Sequence, residues 1–147
     1  MAKPRRYQEY LGIDSNVLVA YLIPDHPDHD VTERLARKAH AVNPAVVHET
    51  YHSSVFKMKR RPDHTVRTLI DYIRFSLCLP ITAATVEVGL RLALKHSLGG
   101  RDALILATYL LSREVRTLVT MDKALLALGE VRLGKKALRI SSPTRIS

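Results

Sequence analysis

Four carboxylates, Asp14, Glu49, Asp102 and Asp122, stand where they could grip a metal ion between them. Asp14 ends a short apolar run in LGIDSNVLVAYL, Asp102 opens another in GGRDALILATYL, and Asp122 closes a third in RTLVTMDKAL. Glu49 lies in PAVVHETYH. At about 100° per residue it shares a helix face with Ala45, Val46, Ser53 and Phe56, an expensive place for a carboxylate unless a cation or donor meets it. Acids are otherwise scarce, 14 against 23 Lys plus Arg, for a formal charge of +9. Hard divalent ions take oxygen ligands, and one or two of them can activate water for in-line attack on a phosphodiester. An acidic cluster in a basic chain fits metal-dependent cleavage of nucleic acid.

These residues must be positioned by short alternating elements. YLGI reads as a strand that runs straight into a helix, SNVLVAYLI. DHDVTERLARKAH reads as an amphipathic helix capped near Asp28 or Asp30. Asn43-Pro44 starts a helix expected to run to about Arg61 and to be stopped by Pro62. Asp63 can cap the next, HTVRTLIDYIRFSL. CLPIT reads as a short strand, ATVEVGLRLALKHSL as a helix ending at Gly99-Gly100, and RDALILATYLLSRE as another. RTLVTM is a strand and KALLAL a short helix. The basic stretch 131–147 is weakly patterned, with one edge strand expected through ALRIS. Strands alternating with helices imply an α/β fold: a three-layer α/β/α sandwich around a short, mostly parallel sheet. One domain is expected over 1–147, with its core at about 10–128 and a basic tail over 131–147.

In such a sheet ligands bind beyond the carboxyl ends of the strands, where Asp14 and Asp122 fall. Asp102, opening a helix, can face the same crevice. Taken singly, each Asp is also a good helix N-cap. Asn16, two residues beyond Asp14, either orients a carboxylate or a bound water, or helps to start its helix.

Composition sets the remaining bounds. At 147 residues, 46% hydrophobic and 25% charged, the chain is typical of a soluble globular protein. The apolar stretches are too short to cross a bilayer, and MAKPRRYQEY carries no signal-peptide core, so a cytoplasmic place is expected. Cys78 is alone, which excludes an intramolecular disulfide; its apolar context reads as a buried, inert thiol. Basic groups gather at Lys3, Arg5 and Arg6, at Lys57, Lys59, Arg60 and Arg61, and from Arg132 to Arg145. A polyanionic partner follows from that charge.

At IDSNVLVAYL, NPAVVHETYHSSV, RDALILATYL and TLVTMDKAL the chain resembles the PIN-domain nucleases, especially VapC-type toxin ribonucleases. The resemblance runs from about Tyr10 to about Leu128. It implies metal ligands at Asp14, Glu49, Asp102 and Asp122, with Asn16 and Thr120 as polar companions. It also implies Mg²⁺- or Mn²⁺-dependent RNA cleavage, a homodimer, and a small antitoxin whose C-terminal segment enters the cleft. Arg101, beside Asp102, departs from the common pattern and is a candidate for the substrate phosphate, as Lys57, Lys59, Arg60 and Arg61 are for the RNA backbone. Asp122 falls at the family's most variable acid.

Two other readings compete. HETYH is a literal H-E-x-x-H, placing His48 and His52 one helical turn apart with Glu49 as a base, as zinc peptidases require. No third-ligand extension follows His52, although Asp63, His64 or Asp71 could supply one, and this reading leaves the other acids unused. The second alternative is a non-catalytic RNA-binding or assembly module on a PIN-like fold. Against it, four retained acids would repel phosphate unless a cation intervened. Asn16 stands where an aspartyl-nucleophile phosphatase needs a second Asp, and GGRDA lacks the P-loop lysine pattern.

Overall fold

A computed structural model of the chain describes residues 9–147. Lys3, Arg5 and Arg6 lie outside the described residues. A six-stranded sheet carries the strand order β3-β2-β1-β4-β6-β5. Strands β1 (Tyr10–Ile13), β2 (Ala39–Val42), β3 (Leu77–Cys78), β4 (Val115–Val119) and β6 (Lys136–Ser141) run parallel. Only β5 (Glu130–Leu133) is antiparallel, to β6. Helices flank this mostly parallel sheet, giving the α/β sandwich expected from the alternation. No helix among the described residues is long and apolar enough to cross a membrane.

Local chemistry starts most of the helices. Asp14 caps α1 (Ser15–Leu22), Asn43 caps α2 (Pro44–His52) by accepting from the Val46 amide at 2.8 Å, and Asp122 caps α6 (Lys123–Leu128). Thr82 and Thr85 cap α4 (Ala83–His96) reciprocally. Helix α3 (Pro62–Arg74) begins on its own proline, with Asp63 in the first turn rather than at the cap. Helix α5 (Gly100–Leu110) is the most buried; Ala103 and the run from Ile105 to Leu110 all face the core.

Several further expectations are corrected. The helix expected over DHDVTERLARKAH is a 3₁₀ segment over Asp30–Arg37, and its last residues belong to β2. Pairing with β1 and β3 overrides their local pattern. His40 is held there by its Nε2–H donating to the Leu35 carbonyl (2.7 Å) and by the Tyr72 hydroxyl at Nδ1 (2.8 Å). The helix expected to reach Arg61 ends at His52 and continues as a π turn over Ser53–Lys57. Lys59 then turns at φ 56°, which breaks the helix before Pro62. The strand read in CLPIT is shifted back to Leu77–Cys78, and Cys78 is exposed, not buried.

The last correction concerns the basic tail. It forms a hairpin about Gly134 (φ 58°), and KALRIS is interior, lying between β4 and the edge strand β5. Alternation explains why: Leu138 and Ile140 are buried while Arg139, between them, is exposed. The segment that follows is pinned by Arg34, whose Nη1 donates to the Thr144 and Ile146 carbonyls at 3.1 and 3.2 Å.

Candidate active site

The carboxyl edge of the sheet gathers the four acids from four separate segments. Asp14 follows β1, Asp122 follows β4, Asp102 lies in the first turn of α5, and Glu49 stands on α2. Burial of Asp14 is nearly complete. Its Oδ2 accepts from the Thr120 hydroxyl at 2.7 Å and its Oδ1 from the Ser15 amide at 2.7 Å. Thr120 organises more than this one contact. Its Oγ1 also accepts from the Asn16 side-chain amide (3.3 Å) and the Asp122 backbone amide (3.1 Å), while Asn16 Oδ1 accepts from Met121 (3.1 Å). Asn16 therefore does more than start a helix: it ties the β1 and β4 loops together. Asp122 Oδ1 accepts from the amides of Ala124 and Leu125, which fixes that carboxylate at the head of α6.

The electrostatics couple these groups. Burial, foremost, pushes the Asp14 carboxyl up to about 6; hydrogen bonds from Thr120 and Ser15 pull it down, and the Asp102 and Glu49 charges push it up again. Asp102 is likewise raised, by burial first and then by Asp122, with Arg101 opposing and Glu49 adding to the rise. Glu49 does not sit on a buried apolar face as its spacing suggested. The buried row of α2 is Val46 and Thr50, Phe56 is exposed, and Glu49 pairs with Arg101 at 3.2 Å. The cation that a carboxylate there needs is thus supplied by the residue beside Asp102.

The set contains only oxygen donors and a cluster of negative charge that Arg101 compensates only in part, and both fit a hard divalent ion. Among the described residues no three carboxylate, imidazole or thiol groups are already closed to ligand spacing, and Glu49 faces Arg101 instead. The zinc-peptidase arrangement is not assembled either. His48 is exposed and lines a crevice with Val47, Tyr51, Val66, Leu69, Ile70 and Ile73, and the His52 ring lies 5.1 Å from that of Phe56. Asp63, one possible third ligand, is taken up by Arg61 and Arg67. Of the cations proposed for RNA, Lys57 and Lys59 are exposed, but Arg60 pairs with Asp25 (2.7 Å) and Arg61 with Asp63 (2.8 Å).

Sequence reasoning missed the groups that hold the acids in place. The Tyr109 hydroxyl, fully buried on α5, donates to the carbonyls of Ile13 (2.7 Å) and Ala41 (3.2 Å), fixing β1 immediately before Asp14. Its ring lies against Gly12, where a Cβ would come within 2.7 Å. Asn43 donates from Nδ2 to Thr108 at 3.0 Å, tying α2, and with it Glu49, to α5. Two signals were available: a glycine inside an apolar strand, and a tyrosine in the mostly apolar part of a helix, seven residues after Asp102.

This chain belongs to the PIN domain family, whose model matches residues 12–131. Several solved structures share the fold. VapC20 of Mycobacterium tuberculosis, a sarcin-ricin loop cleaving toxin, superposes with a TM-score of 0.68 at 18% identity, over 84% of this chain and 98% of that one. VapBC2 of Rickettsia felis, bound to a fragment of promoter DNA, gives 0.63 at 15% identity, over 90% and 98%. A toxin-antitoxin complex from Klebsiella pneumoniae gives 0.59 at 21% identity, over 78% and 87%. No curated protein matches the sequence.

Proposed function

We propose that this chain is a Mg²⁺- or Mn²⁺-dependent endoribonuclease of the VapC type, the toxin of a type II toxin-antitoxin pair. The observation that carries this reading is the electrostatic coupling of Asp14, Asp102, Glu49 and Asp122 at one sheet edge, in a chain of net charge +9. Clustered carboxylates raise one another's proton affinity, and a bound cation relieves that strain. These four residues would hold the ion, which when bound supplies Lewis-acid stabilisation and a water of lowered pKa.

The chain's own groups prepare the rest. Thr120 and Ser15 occupy one lone pair on each Asp14 oxygen, so the carboxylate is oriented with its remaining lone pairs open. Asn16 and Thr120 keep the β1 and β4 loops at one separation. Arg101 neutralises Glu49 at rest and is placed to turn to a substrate phosphate.

The reading carries partners with it: an RNA substrate, a small antitoxin protein, a second copy of the chain, and a cytoplasmic setting. Likeness to toxin-antitoxin complexes supports the antitoxin. The second copy is supported by Val86, Leu90 and Leu94, an exposed apolar row at helical spacing along α4.

The test is an RNA panel incubated with Mg²⁺, Mn²⁺, Zn²⁺ or EDTA. Cleavage is expected with Mg²⁺ or Mn²⁺ only, and Asp14→Asn and Asp102→Asn should each lower it on the order of a hundredfold. Equal activity in folded variants, or full activity in EDTA, would sink the mechanism. His52→Ala should keep its Mn²⁺-dependent cleavage; loss of a zinc-dependent peptidase activity in that variant would favour the metallopeptidase. Tight RNA binding without cleavage under any metal would favour the binding module.

A further inference from the structure

Of the cations first suspected of touching RNA, Arg60, Arg61 and Arg101 are engaged with acids, whereas in the carboxyl-terminal hairpin Arg132 is paired but Lys135 and Arg139 are not. Arg60, Arg61, Arg67, Arg74, Arg91, Arg101 and Arg132 each pair with a carboxylate. Among the described residues Lys38, Lys135, Arg139 and Arg145 make no ion pair, and all four are exposed. These four line two adjoining hollows of about 290 and 560 Å³, which share Glu9, Thr117 and Arg139. Arg116 and Lys136 complete the lining of the larger one.

Sheet geometry separates this basic surface from the acids. Thr117 and Arg139 are partners across β4 and β6, and Leu11 is the partner of Thr117, so all three share one sheet face. Lys38 just precedes β2, Arg116 is near the start of β4, and Lys136 begins β6. Asp14 and Asp122 instead follow the opposite ends of these parallel strands. The docked segment over Pro143–Arg145, held by Arg34, keeps Arg145 beside the hollow. Two acidic side chains also line the surface: Glu130, the cross-strand partner of Arg139, is already paired with Arg132 at 3.2 Å, and Glu9 is exposed.

We propose that this face of β4, β6 and β5 is a second RNA-backbone site, through which a long RNA is held at the same time as it enters the carboxylate crevice. The proposal rests on the RNA reading given above. Unpaired cations spaced along a concave sheet face suit successive phosphates, and they contact them without reading bases. The Lys136 ammonium, which donates to the Val115 carbonyl, is pushed down by burial first and by Arg116 next, with Glu114 and Glu9 opposing. Short RNA reaching only the crevice meets a cluster of acids, so affinity should come chiefly from the hairpin face.

The test is RNA binding by fluorescence anisotropy in EDTA, with the full chain and unstructured RNAs of about six and about twenty-five nucleotides. The longer RNA should bind far more tightly. In the combined variant Lys135→Ala, Arg139→Ala, Arg145→Ala its affinity should fall roughly tenfold, and the slope of log affinity against log salt should flatten by about two. Arg91→Ala, on α4, is the control and should change neither. If the combined variant fails to fold, Arg139→Gln alone should flatten the slope by about 0.7. Unchanged long-RNA affinity and slope in a folded variant would overturn the proposal. So would a variant that loses affinity for polyglutamate but not for RNA, which would assign the face to an acidic protein. Because EDTA stops metal-dependent cleavage, these outcomes stand apart from the nuclease test: absence of cleavage by wild type in any metal counts against the nuclease alone.

Discussion

At the scale of single residues, Asp14 is the most consequential group, because it combines near-complete burial with a carboxyl raised to about 6. Its folded-state value lies above the ordinary 3.8, so the folded protein binds this proton more tightly than the unfolded chain does. The stabilisation is full below that ordinary value and is lost as pH rises through about 6. Asp14→Asn keeps a capping oxygen without the charge. In EDTA at neutral pH it should therefore be more stable than wild type by roughly 1–3 kcal/mol, read as a higher melting temperature, and the advantage should vanish near pH 4. Thermal melts at the two pH values check this, and an equal gain at both would refute it. Arg101 is the second such residue. With Arg101→Gln, Glu49 loses its partner, so Mn²⁺ should bind more tightly while RNA binds more weakly. Calorimetric titration of the metal, run beside RNA anisotropy, separates the two effects; weaker binding of both would contradict this arrangement.

At the scale of elements, β1 is held by α5 through Tyr109, whose ring meets Gly12 and whose hydroxyl donates to the Ile13 carbonyl. Gly12→Ala would drive a methyl group to within 2.7–2.9 Å of the Tyr109 ring. Such overpacking should cost roughly 1–3 kcal/mol in urea unfolding. Since Asp14 lies two residues beyond Gly12, RNA cleavage should fall as well. Adding Tyr109→Leu should recover part of the lost stability, and a Gly12→Ala protein as stable as wild type would show that the contact relaxes freely. Helix α2 carries Glu49 in the same dependent way, through the Asn43 cap and its bond to Thr108.

For the whole molecule, surface character divides by region. Acids gather at the carboxyl edge of the sheet, unpaired cations on the hairpin face, and apolar side chains along α4, where Leu90 is 65% and Leu94 86% exposed. Leucines exposed to that degree on one helix suit a protein interface. The paired variant Leu90→Asp, Leu94→Asp should sediment as a monomer if α4 forms the homodimer proposed here, and an unchanged mass would place the interface elsewhere. Both positions are exposed, so the change should cost the monomer fold little.

The acids were legible because their signals are local. An Asp between an apolar strand and an apolar helix, or at the head of a helix, is marked by its immediate neighbours, and so is the helix start at Asn43-Pro44, whereas Thr82, which caps α4, reads from sequence as the end of a strand. Long periodic segments such as α4, α5 and the strand before Asp122 could be placed from their own pattern. Short segments could be placed where their neighbours marked them, as YLGI and KALLAL were, but a strand's place in the sheet could not. Ala39–Val42 and KALRIS became interior strands because β1 and β4 offered them partners, and such pairing involves residues tens of positions away. The Glu49–Arg101 pair, the Thr120 contact to Asp14 and the unpaired cations of the hairpin are long-range in the same sense. Sequence therefore determined which groups carry charge and roughly where each falls in its element. Tertiary structure decided which charges meet, which are buried and which are left open, because proximity and loss of water are properties of the folded chain alone.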